Sequence, residues 1–241
     1  MTRRLAAMVV GCLTLAGCSA LPQGPDPLPS TFIPDVEASA APDADVVGGF
    51  TVAEREALRV RVRTCESYMT GTAFAIDETH AITNRHVVEG ATDITVTGYD
   101  GRSYTVKKSV LARNDDLALL TIEETFPNIA TLAEAEPSHG DELTIAGYPL
   151  GEALVVRSGP FTRDVTDTVG TSDDMVYEIR VESHPGNSGS GVTNEDGKIV
   201  GVLYASNDVD TSYAVSLPTL NNFLDNLDDA QRNSAECESQ G

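Results

Sequence analysis

Between Leu58 and Ser216 the chain is broken into short runs of β-branched, aromatic and aliphatic residues divided by turn residues, and this punctuation excludes most folds at once. The first run, Leu58-Arg59-Val60-Arg61-Val62-Arg63, alternates with period two, as a strand with one buried face must. Further strands are expected at 72–76, 81–83, 93–99, 103–111 and 117–122. After the polar Glu134-Ala135-Glu136-Pro137 a second series occupies 142–147, 153–163, 175–182, 191–193, 199–204 and 212–216. Two sets of about six short strands imply an all-β chain of two six-stranded antiparallel barrels, because closure removes the exposed edges that short strands otherwise leave. Barrel one is expected at about 58–125 and barrel two at about 138–216, inside a folded domain spanning 51–229. A short helix at 52–57 precedes them. Ser216-Leu217-Pro218 then opens a C-terminal helix, about 217–229, with Leu217, Leu220, Leu224 and Leu227 at helical spacing, followed by a tail at 230–241.

The N-terminus has a different character. Arg3 and Arg4 precede an uncharged, mostly apolar run from Leu5 to Leu15, too short to span a bilayer, which defines a signal peptide at 1–17. Its end, Leu15-Ala16-Gly17-Cys18, resembles the bacterial lipobox, implying cleavage before Cys18 and a lipid on that cysteine. Residues 18–50 then form a lipidated N-terminus and a flexible, proline-rich stalk. The expected location is the extracytoplasmic face of the cell membrane, held by the lipid anchor alone. Cys12 leaves with the signal and Cys18 carries lipid, so Cys65 and Cys237 remain to form a disulfide in an oxidising compartment. With 37 acidic against 16 basic residues, the formal net charge of -21 excludes nucleic acid as a partner and disfavours direct contact with an anionic membrane surface.

Chemistry concentrates in His184-Pro185-Gly186-Asn187-Ser188-Gly189-Ser190-Gly191, where a hydroxyl is held among small residues that free the backbone to turn its amides inward. A serine nucleophile needs a base, and the base needs a partner that fixes its tautomer. Of the four histidines, His86 lies where the strand Ala81-Ile82-Thr83 runs into a turn, and Asp116 opens the apolar strand Leu117-Ala118-Leu119-Leu120. The segments Thr83-Asn84-Arg85-His86-Val87, Asp115-Asp116-Leu117-Ala118-Leu119-Leu120 and Gly186-Asn187-Ser188-Gly189 together resemble those of chymotrypsin-fold serine peptidases. The likeness is strongest to the bacterial branch holding the HtrA/Deg proteases and glutamyl endopeptidases, and it covers about 58–229.

The resemblance implies two barrels with the active site between them, His86 as general base, Asp116 as its orienter and Ser188 as nucleophile. It makes the backbone N–H groups of Gly186 and Ser188 the oxyanion hole, and places Glu182, His184, Tyr204 and Ser206 around the substrate pocket. Glu182, if it points inward, would favour lysine or arginine; otherwise it is solvated or pairs with Arg180. Ser190-Gly191 departs from the usual Gly-Pro or Ser-Pro that follows the nucleophile's glycine. Val46-Val47-Gly48-Gly49 resembles a zymogen activation site, but Asn187 stands where the acceptor aspartate of that switch would be. An α/β-hydrolase is excluded, since Ser190 replaces the last glycine of G-x-S-x-G and no histidine follows His184. Nothing comparable to H-E-x-x-H is present, so neither metal nor cofactor is expected. No PDZ-like segment is read after the protease region. The expected function is that of a lipid-anchored serine endopeptidase, monomeric, acting on protein or peptide substrates. The alternative is a non-catalytic peptide-binding or surface interaction lipoprotein on the same scaffold.

Overall fold

The computed structural model describes residues 46–167, 169–172, 174–207, 209–235 and 237. The expected signal peptide, Cys18 and most of the stalk lie outside the described residues. Helix α1 (Val52–Glu56) opens the domain with Thr51 as N-cap in a capping box with Glu54, the side chain of each accepting from the other's backbone N–H. Strands β1 (Ala57–Arg63), β2 (Tyr68–Ala75), β3 (His80–Thr83), β4 (Asp93–Thr97), β5 (Ser103–Leu111) and β6 (Ala118–Ile122) follow, with the one-turn helix α2 (Arg85–Val88) between β3 and β4. All neighbours are antiparallel, and the β5–β6 pairing closes the order β5-β4-β1-β2-β3-β6 into a barrel. The second barrel contains β7 (Glu142–Gly147), β8 (Val155–Thr166), β9 (Met175–Ile179), β10 (Gly191–Thr193), β11 (Ile199–Ser206) and β12 (Ser212–Ser216), closed in the order β10-β11-β12-β9-β8-β7.

Which strands alternate and which are apolar on both faces follows from where the barrels meet. On β1, Leu58, Val60 and Val62 fill barrel one while the arginines between them face outward. On β2, Ala73 and Ala75 point into barrel one, but Phe74 joins a separate cluster with Ile82, Leu119, Val176 and Val202 that welds the barrels together. The run Leu117-Ala118-Leu119-Leu120 is continuous for the same reason: Ala118 and Leu120 turn into barrel one, Leu117 and Leu119 towards barrel two. Strand β11 splits likewise, with Val200 and Leu203 inside barrel two and Ile199, Val202 and Tyr204 in the interface. Burying both faces of a strand costs its alternation, and both faces here have an apolar neighbour.

Some expected elements end early, among them β4, which stops at Thr97 rather than 99. Strand β9 stops at Ile179 rather than 182, because the Val181 amide folds back onto the Ile179 carbonyl at 3.0 Å and carries Glu182 into a loop. Helix α3 (Leu217–Asp225), capped by Ser216 and packed through Leu220 and Phe223, ends at Asn226, whose side-chain amide binds the Asn222 carbonyl at 2.8 Å. Among the described residues no helix is long and apolar enough to cross a membrane.

The C-terminal segment is tied down. Strand β13 (Gln231–Arg232) pairs with β5, and the Asn233 side chain accepts from the Gly90 amide and donates to the Val88 carbonyl at 2.7 Å. Cys65, in the β1–β2 turn, is bonded to Cys237 across a sequence separation of 172, the pairing expected from the sequence. Closing so long a loop restricts the unfolded chain by up to about 5 kcal/mol in the chain-entropy model.

Candidate active site

His86 occupies the single turn of α2, and barrel one builds its surroundings. Buried Asn84, just before the turn, donates through Nδ2 to the Asp116 carbonyl at 2.8 Å. Arg85 reaches the Ala112 and Arg113 carbonyls at 3.1 and 3.0 Å, holding the segment that leads to Asp116. The Asp116 carboxylate, only 3% exposed, meets His86 at two points: Oδ1 accepts the backbone N–H at 2.9 Å and Oδ2 faces ring Nδ1 at 2.6 Å. A carboxylate so placed sets the tautomer with hydrogen on Nδ1 and leaves Nε2 to accept a proton.

Ser188 lies in the loop between β9 and β10. The Asn187 amide donates to the His184 carbonyl at 3.0 Å, with Pro185 second and Gly186 third at φ 99°, the arrangement of a type II turn. The Pro185 carbonyl accepts from the Leu150 amide at 2.6 Å. In a trans peptide the following N–H points the opposite way, so pinning that carbonyl aims the Gly186 N–H away from Leu150. A Cβ on Gly186 would fall 2.5 Å from the Tyr148 carbonyl oxygen, so glycine is required by space as well as by φ. Thr72 of β2 fastens the loop from barrel one, its Oγ1 donating to the Gly186 carbonyl and its amide to the Ser188 carbonyl, both at 2.8 Å. Behind the serine, the Gly189 amide donates to the Leu203 carbonyl and the Leu203 amide to the Ser190 carbonyl. The Gly186 and Ser188 N–H groups have no hydrogen-bond partner among the described residues.

His86 and Asp116 are therefore brought together, while Ser188 stands apart from them in hydrogen bonding. Its Oγ donates to the Tyr204 carbonyl at 3.4 Å, and no hydrogen bond joins it to His86 among the described residues. Next to Ser188 a cavity of about 290 Å³ is lined by Ser183, His184, Leu203, Tyr204, Ala205 and Ser206 among others. Three of the four expected pocket residues thus border it. Glu182 does not; its carboxylate lies 3.2 Å from His184 Nε2, both side chains half exposed, and the partner is His184 rather than Arg180. Ser206 Oγ donates to the Ser183 carbonyl at 3.0 Å, and Ser183 and Ser212 hydroxyls meet at 2.8 Å, so the polar atoms of the wall are largely engaged with one another.

The Tyr204 phenol donates to Asp167 Oδ1 at 2.6 Å. Partial burial pushes the Asp167 carboxyl up, but the Tyr204 hydroxyl and the amides of Val169, Thr171 and Ser172 outweigh it and lower the pKa to about 2. Burial, and then the bond to Asp167, raise the Tyr204 phenol well above its ordinary value. Ser172 in turn donates to Asp115 Oδ1 at 2.7 Å, so this loop bridges the barrels beside Asp116. The sequence singled out neither Thr72, Leu150 nor Asp167. Among the described residues no group of three or more His, Cys, Asp or Glu is placed to hold a metal ion.

Two closed six-stranded antiparallel barrels, sharing an apolar interface and followed by a helix, define a protein of the chymotrypsin-like fold. The chain belongs to the trypsin-like peptidase domain family, whose model matches residues 71–202, a span that contains His86, Asp116 and Ser188. It is similar to Protease Do-like 2 of the Arabidopsis thaliana chloroplast, 34% identical over 166 residues that cover 64% of this chain and 27% of the relative. It is also similar to the serine protease Rv3671c of Mycobacterium tuberculosis, 26% identical over 84% of this chain and 53% of that protein. The chain thus spans about a quarter to a half of these relatives' lengths. The solved active form of the Rv3671c protease superposes with a TM-score of 0.67 at 22% identity, covering 78% of this chain and 87% of that one. The HtrA-type protease AlgW bound to a tripeptide gives 0.63 at 20% identity, over 73% and 61%.

Proposed function

We propose that this chain is a serine endopeptidase in which His86, Asp116 and Ser188 hydrolyse peptide bonds through an acyl-enzyme. The observation that carries the reading is the two-point contact of buried Asp116 with His86, at 2.6 and 2.9 Å, in a domain whose serine loop holds two N–H groups without a partner among the described residues. Ser188 Oγ, rotated about its Cα–Cβ bond towards His86, attacks the substrate carbonyl carbon and passes its proton to Nε2. The carbonyl oxygen becomes an oxyanion that the Gly186 and Ser188 N–H groups bind, each worth about 3–4 kcal/mol where such donors have been removed. The imidazolium, stabilised by Asp116, then protonates the leaving amine, and water releases the acyl group with His86 again as base. With no carboxylate, lysine or arginine among its lining residues, the cavity beside Ser188 favours an uncharged side chain on the acyl side, and Glu182→Gln leaves that preference unchanged.

Fluorophosphonate labelling tests the assignment: the wild type reacts and Ser188→Ala does not. Equal labelling of both, or none of the wild type, refutes it. The turn of Ser188 Oγ towards Tyr204 favours the second reading, a peptide-binding lipoprotein without turnover. That reading requires peptide affinity unaltered by Ser188→Ala and no labelling. The sequence around Cys18 supports a lipid anchor on the extracytoplasmic face, with Cys18→Ser expected to move the protein from the membrane fraction to the soluble one.

A further inference from the structure

A larger cavity of about 600 Å³, walled by β1, β2 and β4 of barrel one and by Leu150 and Gly151 of barrel two, is tied through Leu150 to Pro185, which lines the 290 Å³ cavity. Leu150 holds the Pro185 carbonyl, and its amide and that of Gly151 lie 2.7 and 3.1 Å from where a Gly186 Cβ would be. The strand register explains the lining. Arg61 of β1 stands between Thr70 of β2 and Thr95 of β4, and Arg63 stands between Tyr68 and Asp93, so two cross-strand rows present side chains on one outward face. In a chain of formal net charge -21 this face has the opposite sign. Arg61 and Arg63 are exposed and form no ion pair with any described residue, while Asp93, the acidic member of the lining, offsets one of their charges. Arg59, the third arginine of the stripe, is engaged instead, stacked 4.9 Å from the Tyr148 ring centre and 3.4 Å from the Gly151 carbonyl. Tyr68 and Leu150, 83% and 64% exposed, add apolar surface at the rim.

We propose that this cavity recognises acidic side chains in the part of the substrate that leaves, an inference that rests on Ser188 being the nucleophile. With the acyl-side residue in the smaller cavity and the scissile carbonyl at the Gly186 and Ser188 amides, the chain beyond the cleaved bond runs out past Leu150 along β2. Thr72 is the β2 residue bonded to Ser188, and Thr70 and Tyr68 lie two and four residues back along the strand. At a rise of about 3.3 Å per residue, an extended substrate reaches Arg61 about two residues after the cleaved bond and Arg63 about four residues after it. Glutamate or aspartate at those positions meets a guanidinium that forms no ion pair with any described residue, and the tyrosine and leucine cover the peptide's apolar stems.

The test uses the full-length protein and fluorogenic peptides of one sequence carrying Glu, Gln or Lys at the second, third or fourth residue after the cleaved bond. The expected result is a kcat/KM for Glu about fivefold above that for Gln, with Lys lowest, and an advantage that shrinks at about 0.5 M salt because the arginines are exposed. Arg61→Gln/Arg63→Gln brings the Glu-to-Gln ratio close to one, and Arg61→Lys/Arg63→Lys, which keeps the charges, retains a Glu advantage. A wild-type ratio near one at all three positions, or a ratio unaltered in the double Gln variant, overturns the proposal while leaving fluorophosphonate labelling of Ser188 intact. Absence of both labelling and cleavage removes the catalytic reading and this one with it.

Discussion

Glu56 offers a stability measurement with a sign that cannot be confused. It ends α1, which packs on β7 beside the apolar group of Ala57, Ala146 and Tyr148, and it is only 9% exposed with Oε2 lacking a hydrogen-bond partner among the described residues. Burial pushes its pKa up from 4.5 to about 7, against a weaker opposing pull from Arg55. A raised carboxyl pKa means that the folded state holds the proton more tightly than the unfolded state does. Below about pH 4.5 both states are protonated and Glu56 carries no ionisation penalty. As pH rises from there to about 7 the unfolded chain ionises first and stability falls; above about 7 the loss is complete. At about 1.4 kcal/mol per pH unit, that interval corresponds to about 3 kcal/mol. Glu56→Gln keeps the shape without the charge, so the variant's stability relative to wild type should rise by about 3 kcal/mol between about pH 4 and pH 8. Urea unfolding of both proteins across that range, with the disulfide intact, measures the difference, from which the general repulsion of an acidic chain largely cancels. A difference independent of pH, or one that grows towards acid, refutes the placement of an unpaired carboxyl inside the fold.

Three further outcomes follow from the site and its braces. Gly186→Ala forces a methyl against the Tyr148 carbonyl and the Leu150 amide and disturbs the turn that aims the proposed oxyanion donors; fluorophosphonate labelling slows about a hundredfold or more, as measured by rate of probe incorporation. Tyr204→Phe removes one donor from Asp167 and lowers stability by about 1–2 kcal/mol at neutral pH. Since the Asp167 pKa is depressed from 3.8 to about 2, its stabilisation is present above about pH 4 and is lost as pH falls towards 2, and wild type and variant converge there in thermal unfolding. Cys65→Ser/Cys237→Ser frees the chain end from the β1–β2 turn and costs up to about 5 kcal/mol in denaturant unfolding, with the β12-α3 region as well packed as before.

What could be read from the sequence was whatever local chemistry dictates. Strands of one period on one face of a barrel announce themselves, and the continuous apolar run after Asp116 marks a strand pressed between two barrels. Around Ser188, glycine is demanded at 186 by φ and by space together, so the motif carries its own reason. The pieces that escaped depend on partners far away in the chain: Thr72 meets the Gly186 carbonyl across 114 residues, and Tyr204 meets Asp167 across 37. No local pattern marks a residue whose function is to hold another segment's carbonyl. Glu182 shows the complementary problem, because a two-residue backbone fold at Val181 decides whether its carboxylate looks into the cavity or onto His184.

The stripe Arg59-Arg61-Arg63 sharpens the point. As sequence it is only the polar half of an alternating strand, and any charged residue would satisfy that requirement. Folded, its three members acquire different roles from their distance to barrel two: Arg59 is consumed by Tyr148 and Gly151, whereas Arg61 and Arg63, successively farther along the strand, form no ion pair with any described residue and outnumber Asp93 beside them on a molecule that is otherwise strongly acidic. A solvated strand face needs no such run of one sign, and acidic residues would have matched the rest of the surface. The charge therefore makes physical sense as a complement to something that binds there, and the register sets Arg61 and Arg63 on the path that the proposed cleavage at Ser188 would give to the leaving peptide.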